Sequence, residues 1–345
     1  MKNIAILTIY GNGNYGNKLQ HYGLQFYLEK LGYNVETIIS TSEGKLKFKL
    51  KEFLKILLKK RYRVFYFGFN KLIKYSKYTF YNNNSFDVKK YDYFIVGSDQ
   101  VWNTTFESFN DCFLLKNISS KKRISYSSSL GINYIRKEKI EDFKIELNKF
   151  KAISVREDKA KEIIEKTTGR SDIEVVIDPT MLLTAAEWET IAKKPKKLKN
   201  EKYILNYFLG EISEERNKEI QKVAKDNDCI IINLLDKRSD FYNCGPSEFL
   251  YLEKNAFLIC TDSFHSCVFS VIFDRPFVVF EREEKNIDKM NSRIDTLIKK
   301  FSLKNRKYNG NYITKENLNH NYSEAKKILE NERKKSENFF SILYK

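Results

Sequence analysis

The sequence predicts an α/β chain built from two halves, each an open sheet of parallel strands with helices between them. Three observations carry this. Short apolar runs end again and again in compact polar motifs, with helix-like stretches between them. A glycine-rich turn joins the first such run to the first helical stretch. Near Trp188–Lys202 the composition changes to "KKPKKLKNEK", and the alternation then starts afresh.

In order, Asn3–Tyr10 reads as a strand, Tyr15–Leu31 as a helix and Asn34–Ser40 as a second strand, one βαβ unit. Lys45–Phe80 is basic and aromatic with a single acid, Glu52, and reads as a helical insertion whose aromatic residues pack on its own domain. Buried-strand patterns follow in "YDYFIVGSDQVWN", "KRISYSSSLG", "AISVREDKA" and "EVVIDPTMLL". The second half repeats the design through "KYILNYFLG", a helix over Ser213–Asp226, "CIIINLL", "GPSEFLYLEKN" and "AFLICTDSFHSCVFSVIFDRPFVVFER". An amphipathic helix from Tyr322 closes the chain. The expected organisation is therefore residues 1–190, 200–305 and a tail over 306–345, with a cleft between the two halves. In sheets of this kind ligands lie beyond the carboxyl ends of the strands, where the polar motifs fall.

Composition narrows the function. The 345 residues include 26 Phe and 22 Tyr, ample for real cores. The formal charge of +17 fits either an anionic partner or drift toward a lysine-rich composition. No nucleic-acid-binding signature accompanies it. The five cysteines are odd in number and form no CxxC pair, which points to a reducing cytoplasm and away from disulfides or a metal centre. No apolar run reaches membrane-spanning length, and the N-terminus lacks a signal-peptide pattern. The cationic, Phe- and Leu-rich stretch 45–80 allows weak contact with a membrane surface.

Gly11, Gly13 and Gly16 spell G-x-G-x-x-G, and Glu36 follows at the distance of a ribose-binding acid. However, Lys18, Gln20, His21 and Tyr22 crowd the region where a nicotinamide fold keeps small residues. The turn reads instead as a polar ligand-facing loop carrying Asn14, Tyr15, Asn17 and Gln20. "VGSDQVWN" places Ser98, Asp99, Gln100 and Trp102 on one strand-end loop, an arrangement suited to a sugar or, more plainly, an Asx-type turn with Trp102 in the core. "SVRED" puts Arg156 at a strand end, where it can hold an anion or pair with Glu157 or Asp158. "TDSFHS" sets Ser263, Phe264 and His265 at the opening of an apolar helix, where the helix dipole favours an anion and an imidazole can move protons.

Taken in order, "NYGNKLQHYGLQ", "VGSDQVWN", "YSSSLG", "SVRED", "VIDPTMLL", "GPSEFLYL", "TDSFHSCVFSVIF", "PFVVFER" and "SRIDTL" resemble the bacterial polysaccharide pyruvyl transferase family over about residues 9–300. The resemblance implies two Rossmann-like domains facing across a cleft, as in glycosyltransferases of the B type. It also implies transfer of pyruvate from phosphoenolpyruvate to two hydroxyls of a sugar, giving a cyclic ketal in a surface-glycan precursor. No cofactor and no metal are implied. Arg156 and His265 match family positions. The Arg-Leu-His triplet of characterised relatives is Ser263-Phe264-His265 here, so its arginine is absent, and Arg282 and Arg293 are the candidate replacements.

On this basis His265, Asp99 and Arg156 are the expected catalytic residues. Ser263, Phe264, His265, Arg156, Arg282 and Arg293 are expected at the donor, and Asn14, Tyr15, Asn17, Gln20, Ser98, Gln100 and Trp102 at the acceptor, a sugar that is lipid-linked or part of an oligosaccharide. The expected location is the cytoplasm, at the inner face of the membrane. The competing readings are a nucleotide-sugar glycosyltransferase, a catalytically idle glycan-binding protein and a nicotinamide dehydrogenase.

Overall fold

A computed structural model describes residues 1–41, 45–81, 88–106, 109–282, 292–310 and 312–344. The chain divides into two compact units. One takes in Met1–Leu182 and Glu332–Lys345, the other Leu183–Ile287 and Arg293–Asn331.

The first unit opens with β1 (Asn3–Leu7), α1 (Tyr15–Lys30) and β2 (Asn34–Thr41). Then come α2 (Lys45–Leu58), α3 (Lys60–Phe69), β3 (Tyr75–Tyr81), β4 (Tyr93–Val96) and β5 (Arg123–Ser128). After these follow α4 (Ile140–Leu147), β6 (Ala152–Val155), α5 (Asp158–Thr168), β7 (Glu174–Val175) and α6 (Pro179–Leu182). The seven strands form one parallel sheet in the order β3-β2-β1-β4-β5-β6-β7. β1, β4 and β5 are buried along nearly their whole length, because helices cover both faces of a parallel sheet. The order reverses between β1 and β4, so the loops after these two strands open at the switch point of the sheet.

The second unit contains α7 (Ala185–Glu189), β8 (Tyr203–Tyr207), α8 (Glu214–Asp226), β9 (Ile230–Asn233) and α9 (Pro246–Asn255). β10 (Leu258–Thr261), α10 (Phe264–Ile272), β11 (Phe277–Val279), α11 (Ser292–Lys300) and α12 (Lys315–Leu318) complete it. Its parallel sheet runs β11-β10-β8-β9 and reverses between β10 and β8. Ile204, Ile220, Leu258, Val278 and Phe280 form part of its core. α13 (Ser323–Phe340) is the last helix.

Three features differ from the sequence reading. The stretch 45–80 is two helices followed by an edge strand, and not only a helical insertion. Tyr75, Thr79, Phe80 and Tyr81 pair with β2, and the basic helical run before them disguised a β pattern. The lysine-rich stretch lies inside the second unit, where Lys193 N–H donates to Ser247 O at 2.9 Å, and the chain changes unit at Leu182/Leu183. The end of α13 belongs to the first unit. Arg333 Nε donates to Met181 O and Lys335 Nζ to Val175 O, each at 2.8 Å, while Phe340 stacks on Tyr126 at 4.4 Å.

Candidate functional site

In the first unit the polar residues converge at the switch point. Asn14 caps α1, its Oδ1 accepting from Asn17 N–H at 3.1 Å. Asn17 Nδ2 then donates to Ile9 O at 2.9 Å and to Asp99 Oδ2 at 3.0 Å, which ties the glycine turn to the loop after β4. Asp99 adopts φ 69°, a left-handed conformation that aspartate tolerates, and its Oδ1 accepts from Gln100 N–H at 2.8 Å. Gly97 (φ 120°) precedes it. A Cβ there would lie 2.2 Å from Tyr126 O, so only glycine lets β4 end so close to β5. The side-chain oxygens Asn12 Oδ1 and Asn17 Oδ1 are buried with no partner among the described residues.

Beneath this loop lies an ionic layer. Arg156 Nη1 donates to Asp178 Oδ2 at 2.7 Å, and Arg156 Nη2 stands 3.8 Å from Asp99 Oδ1. Asp178 also accepts from Ser98 Oγ at 3.0 Å and from Thr180 N–H and Oγ1 at 2.9 and 2.7 Å. Burial alone would lower the Arg156 pKa, yet Asp178 first, then Asp99 and Glu157, raise it above its ordinary value. Glu157 instead accepts from Ser129 Oγ, Leu130 N–H and Gly131 N–H. Of the two sequence readings of Arg156, an anion-holding residue or a partner of Glu157 or Asp158, the structure favours an ion pair, and its partner is Asp178. That residue read in sequence only as a strand terminator. Its signal was an Asp at a strand end just before Pro179 and Thr180.

Several expected contact residues are structural. Trp102 is fully buried, donates from Nε1 to Phe113 O at 3.2 Å and packs edge-on against Phe143 and Phe150, so it belongs to the core and offers no face to a sugar. Tyr15 is enclosed by Phe65 at 5.1 Å and by the Arg61 guanidinium at 4.6 Å. Gln20 bridges the sheet, donating from Nε2 to Thr8 Oγ1 and accepting from Ser98 N–H, both at 3.1 Å. Arg156 has only 1% of its side chain exposed, so it clamps the carboxylates and does not present a free guanidinium to a donor. Asn14 is exposed, and Asp99 and Gln100 are half-buried, so these line the accessible rim. Glu36 pairs with Lys90 at 2.7 Å and accepts from Tyr91 Oη, which leaves no role as a ribose acid.

The second unit carries its own cluster. Asp262, at the end of β10, accepts from Leu209 N–H at 2.7 Å, Gly210 N–H at 2.8 Å and Arg282 Nε at 3.1 Å. Arg282 keeps 17% of its side chain exposed, and no described residue takes its Nη atoms. Ser263 holds the N-cap position of α10 without a side-chain capping hydrogen bond, Phe264 lies edge-on to His265, and His265 stands in the first turn of that helix. Arg293 is buried in α11. Next to Gly210 a cavity of about 470 Å³ opens, bordered by Asn206, Phe208, Asn217, Asn233 and Arg238. Asn206 Nδ2 donates to Asn233 Oδ1 at 2.9 Å, and its own Oδ1 is buried with no partner among the described residues.

Comparison with known proteins defines the class. The polysaccharide pyruvyl transferase family model matches residues 14–284, and the chain belongs to that family. Membership implies a transferase. No curated protein matches the chain. A Listeria monocytogenes protein assigned as a UDP-N-acetylglucosamine 2-epimerase is similar in structure, with 14% identity and a TM-score of 0.51 over 96% of this chain and 89% of its own. UDP-GlcNAc 2-epimerase of Methanocaldococcus jannaschii has 16% identity and a TM-score of 0.47 over 96% and 99%. The first of these likenesses shows the fold, an α/β architecture of the glycosyltransferase-B type.

Proposed function

We propose that the protein transfers pyruvate from phosphoenolpyruvate to two hydroxyls of a glycan-precursor sugar, forming a cyclic ketal. The observation that carries this reading is the family match over residues 14–284, which takes in both strand-end clusters. Phosphoenolpyruvate brings a carboxylate and a phosphate, so its site needs positive potential and backbone donors. Arg282, whose Nη atoms meet no described residue, and the first turn of α10 support a donor site in the second unit.

Chemically, His265 as imidazolium gives a proton to the methylene carbon of the donor, which leaves an oxocarbenium-like centre at C2. One sugar hydroxyl adds there and passes its proton to a general base. The C2–O bond to phosphate breaks with its electron pair leaving on phosphate, and the second hydroxyl closes the ring. One hydroxyl proton is thereby balanced by the new methyl group and the other by the released phosphate. On this reading the acceptor rim comprises Asn14, Asp99 and Gln100, and the protein works in the cytoplasm, peripheral to the membrane. Among the described residues no helix is long and apolar enough to cross one.

The test is incubation with phosphoenolpyruvate and a lipid-linked glycan extract, reading phosphate release and the ketal methyl signal by NMR. Both are expected with the wild-type protein and neither with His265→Ala. Phosphate release unchanged in folded His265→Ala protein would remove the assigned proton donor.

A further inference from the structure

α2 has two opposite faces. Its inner face rests on the loop that joins β1 to α1. Phe48 lies edge-on to Tyr10 at 5.6 Å, and Glu52 is buried and accepts from Tyr62 Oη. From the following α3, Arg61 covers Tyr15 and its Nη2 lies 3.4 Å from Gly13 O. The cap formed by these helices therefore holds the turn that carries Asn14 and Asn17.

The outer face is apolar and uncovered. Leu46 is 84% exposed, Leu50 59%, Phe53 57%, Leu54 45% and Leu57 53%. At about 100° per residue these five fall within one arc of roughly 100°, opposite Glu52. Lys49 flanks one side of that arc and Lys47 and Lys51 the other, all exposed, while Lys55 turns toward the inner face and pairs with Glu52 at 3.2 Å. The one acid of the helix, Glu52, is the residue turned inward. A soluble domain rarely leaves so many large apolar side chains contiguous and open to water.

We propose that α2 lies in the surface of an anionic lipid bilayer, with Leu50, Phe53 and Leu57 among the acyl chains and the flanking lysines on lipid phosphates. Apolar side chains in one arc, rimmed by lysines, are the pattern of an interfacial helix. Nucleic acid would engage the lysines and leave the leucines in water. A second copy would bring two lysine rims together, which charge repulsion opposes. The helix that touches lipid also supports the Asn14–Asn17 turn, so docking presents that turn to an acceptor carried on a lipid. This last point alone rests on the pyruvyl-transfer reading.

The experiment is flotation of the full chain with phosphatidylcholine vesicles with and without phosphatidylglycerol, at low and high salt. The triple variant Leu50→Ser/Phe53→Ser/Leu57→Ser serves as control, since these side chains are exposed and the thermal midpoint reports its folding. Binding to the anionic vesicles is expected to weaken with salt and to fall about tenfold or more in the triple variant. No vesicle binding by the wild-type protein, or equal binding by the folded triple variant, overturns the proposal. So does a wild-type dimer that the variant converts to monomer without any vesicle binding. Phosphate release from phosphoenolpyruvate is measured separately, so loss of that reaction with vesicle binding intact would count against the chemistry and not the docking.

Discussion

The Arg156 guanidinium and the Asp178 carboxylate lie 2.7 Å apart, and neither side chain reaches solvent. Removing one partner strands the other as a buried charge. Arg156→Met is expected to cost about 3–5 kcal/mol, and the double variant Arg156→Met/Asp178→Leu to be more stable than either single one. Urea denaturation of the four proteins checks this, and additive losses would show that the pair is not coupled. Loss of donor binding in an Arg156 variant must therefore be read beside its folding.

Lys18 is buried over the rings of Tyr10 and Tyr75, with Nζ 3.0 Å from Tyr75 Oη. Burial lowers its pKa from 10.5 to about 7, against a smaller upward pull from Glu52. Between these values the unfolded chain binds more protons than the folded one, so stability rises with pH across this window. The contribution is at most about 1.4 kcal/mol per pH unit. Lys18→Met is expected to flatten the slope of unfolding free energy measured between pH 7 and 9. An unchanged slope would mean that the amine stays charged in the folded state.

Trp102 is sealed within the first core by Phe143 and Phe150. Trp102→Ala is expected to lose about 3–5 kcal/mol through cavity formation. Because Trp188 is buried too, acceptor sugars are expected to leave tryptophan fluorescence unchanged. Quenching by a sugar would return Trp102 to the acceptor site.

The strand-ending motifs were legible because a buried parallel strand writes itself as a short apolar run that gives way to polar residues where it leaves the sheet. Tyr93–Val96 and the start of α1 at Tyr15 follow the sequence reading for that reason. β3 was hidden because it closes a basic helical run and its aromatic residues follow no strict alternation. The role of Asp178 was hidden because its partner is 22 residues away, just past the end of β6, a pairing that local spacing does not encode. Burial was the other blind spot. Trp102, Gln20 and Ser98 carry the chemistry of sugar contacts but spend it inside the protein.

Asp262 gathers two backbone amides and Arg282 at the end of β10. His265→Ala is expected to lower turnover by about 10²–10⁴-fold with the thermal midpoint unchanged. Arg282→Ala is expected to weaken donor binding, seen as a higher KM for phosphoenolpyruvate. Unchanged kinetics in the Arg282 variant would move the donor guanidinium to Arg293.

The most direct measurement is a thermal-shift titration of the purified chain with phosphoenolpyruvate, with a uridine nucleotide sugar in parallel. Stabilisation by phosphoenolpyruvate that Arg282→Ala abolishes is the expected result, since a ligand that binds only the folded state raises its midpoint. Stabilisation by the nucleotide sugar with none by phosphoenolpyruvate would contradict pyruvyl transfer and assign the protein to glycosyl transfer.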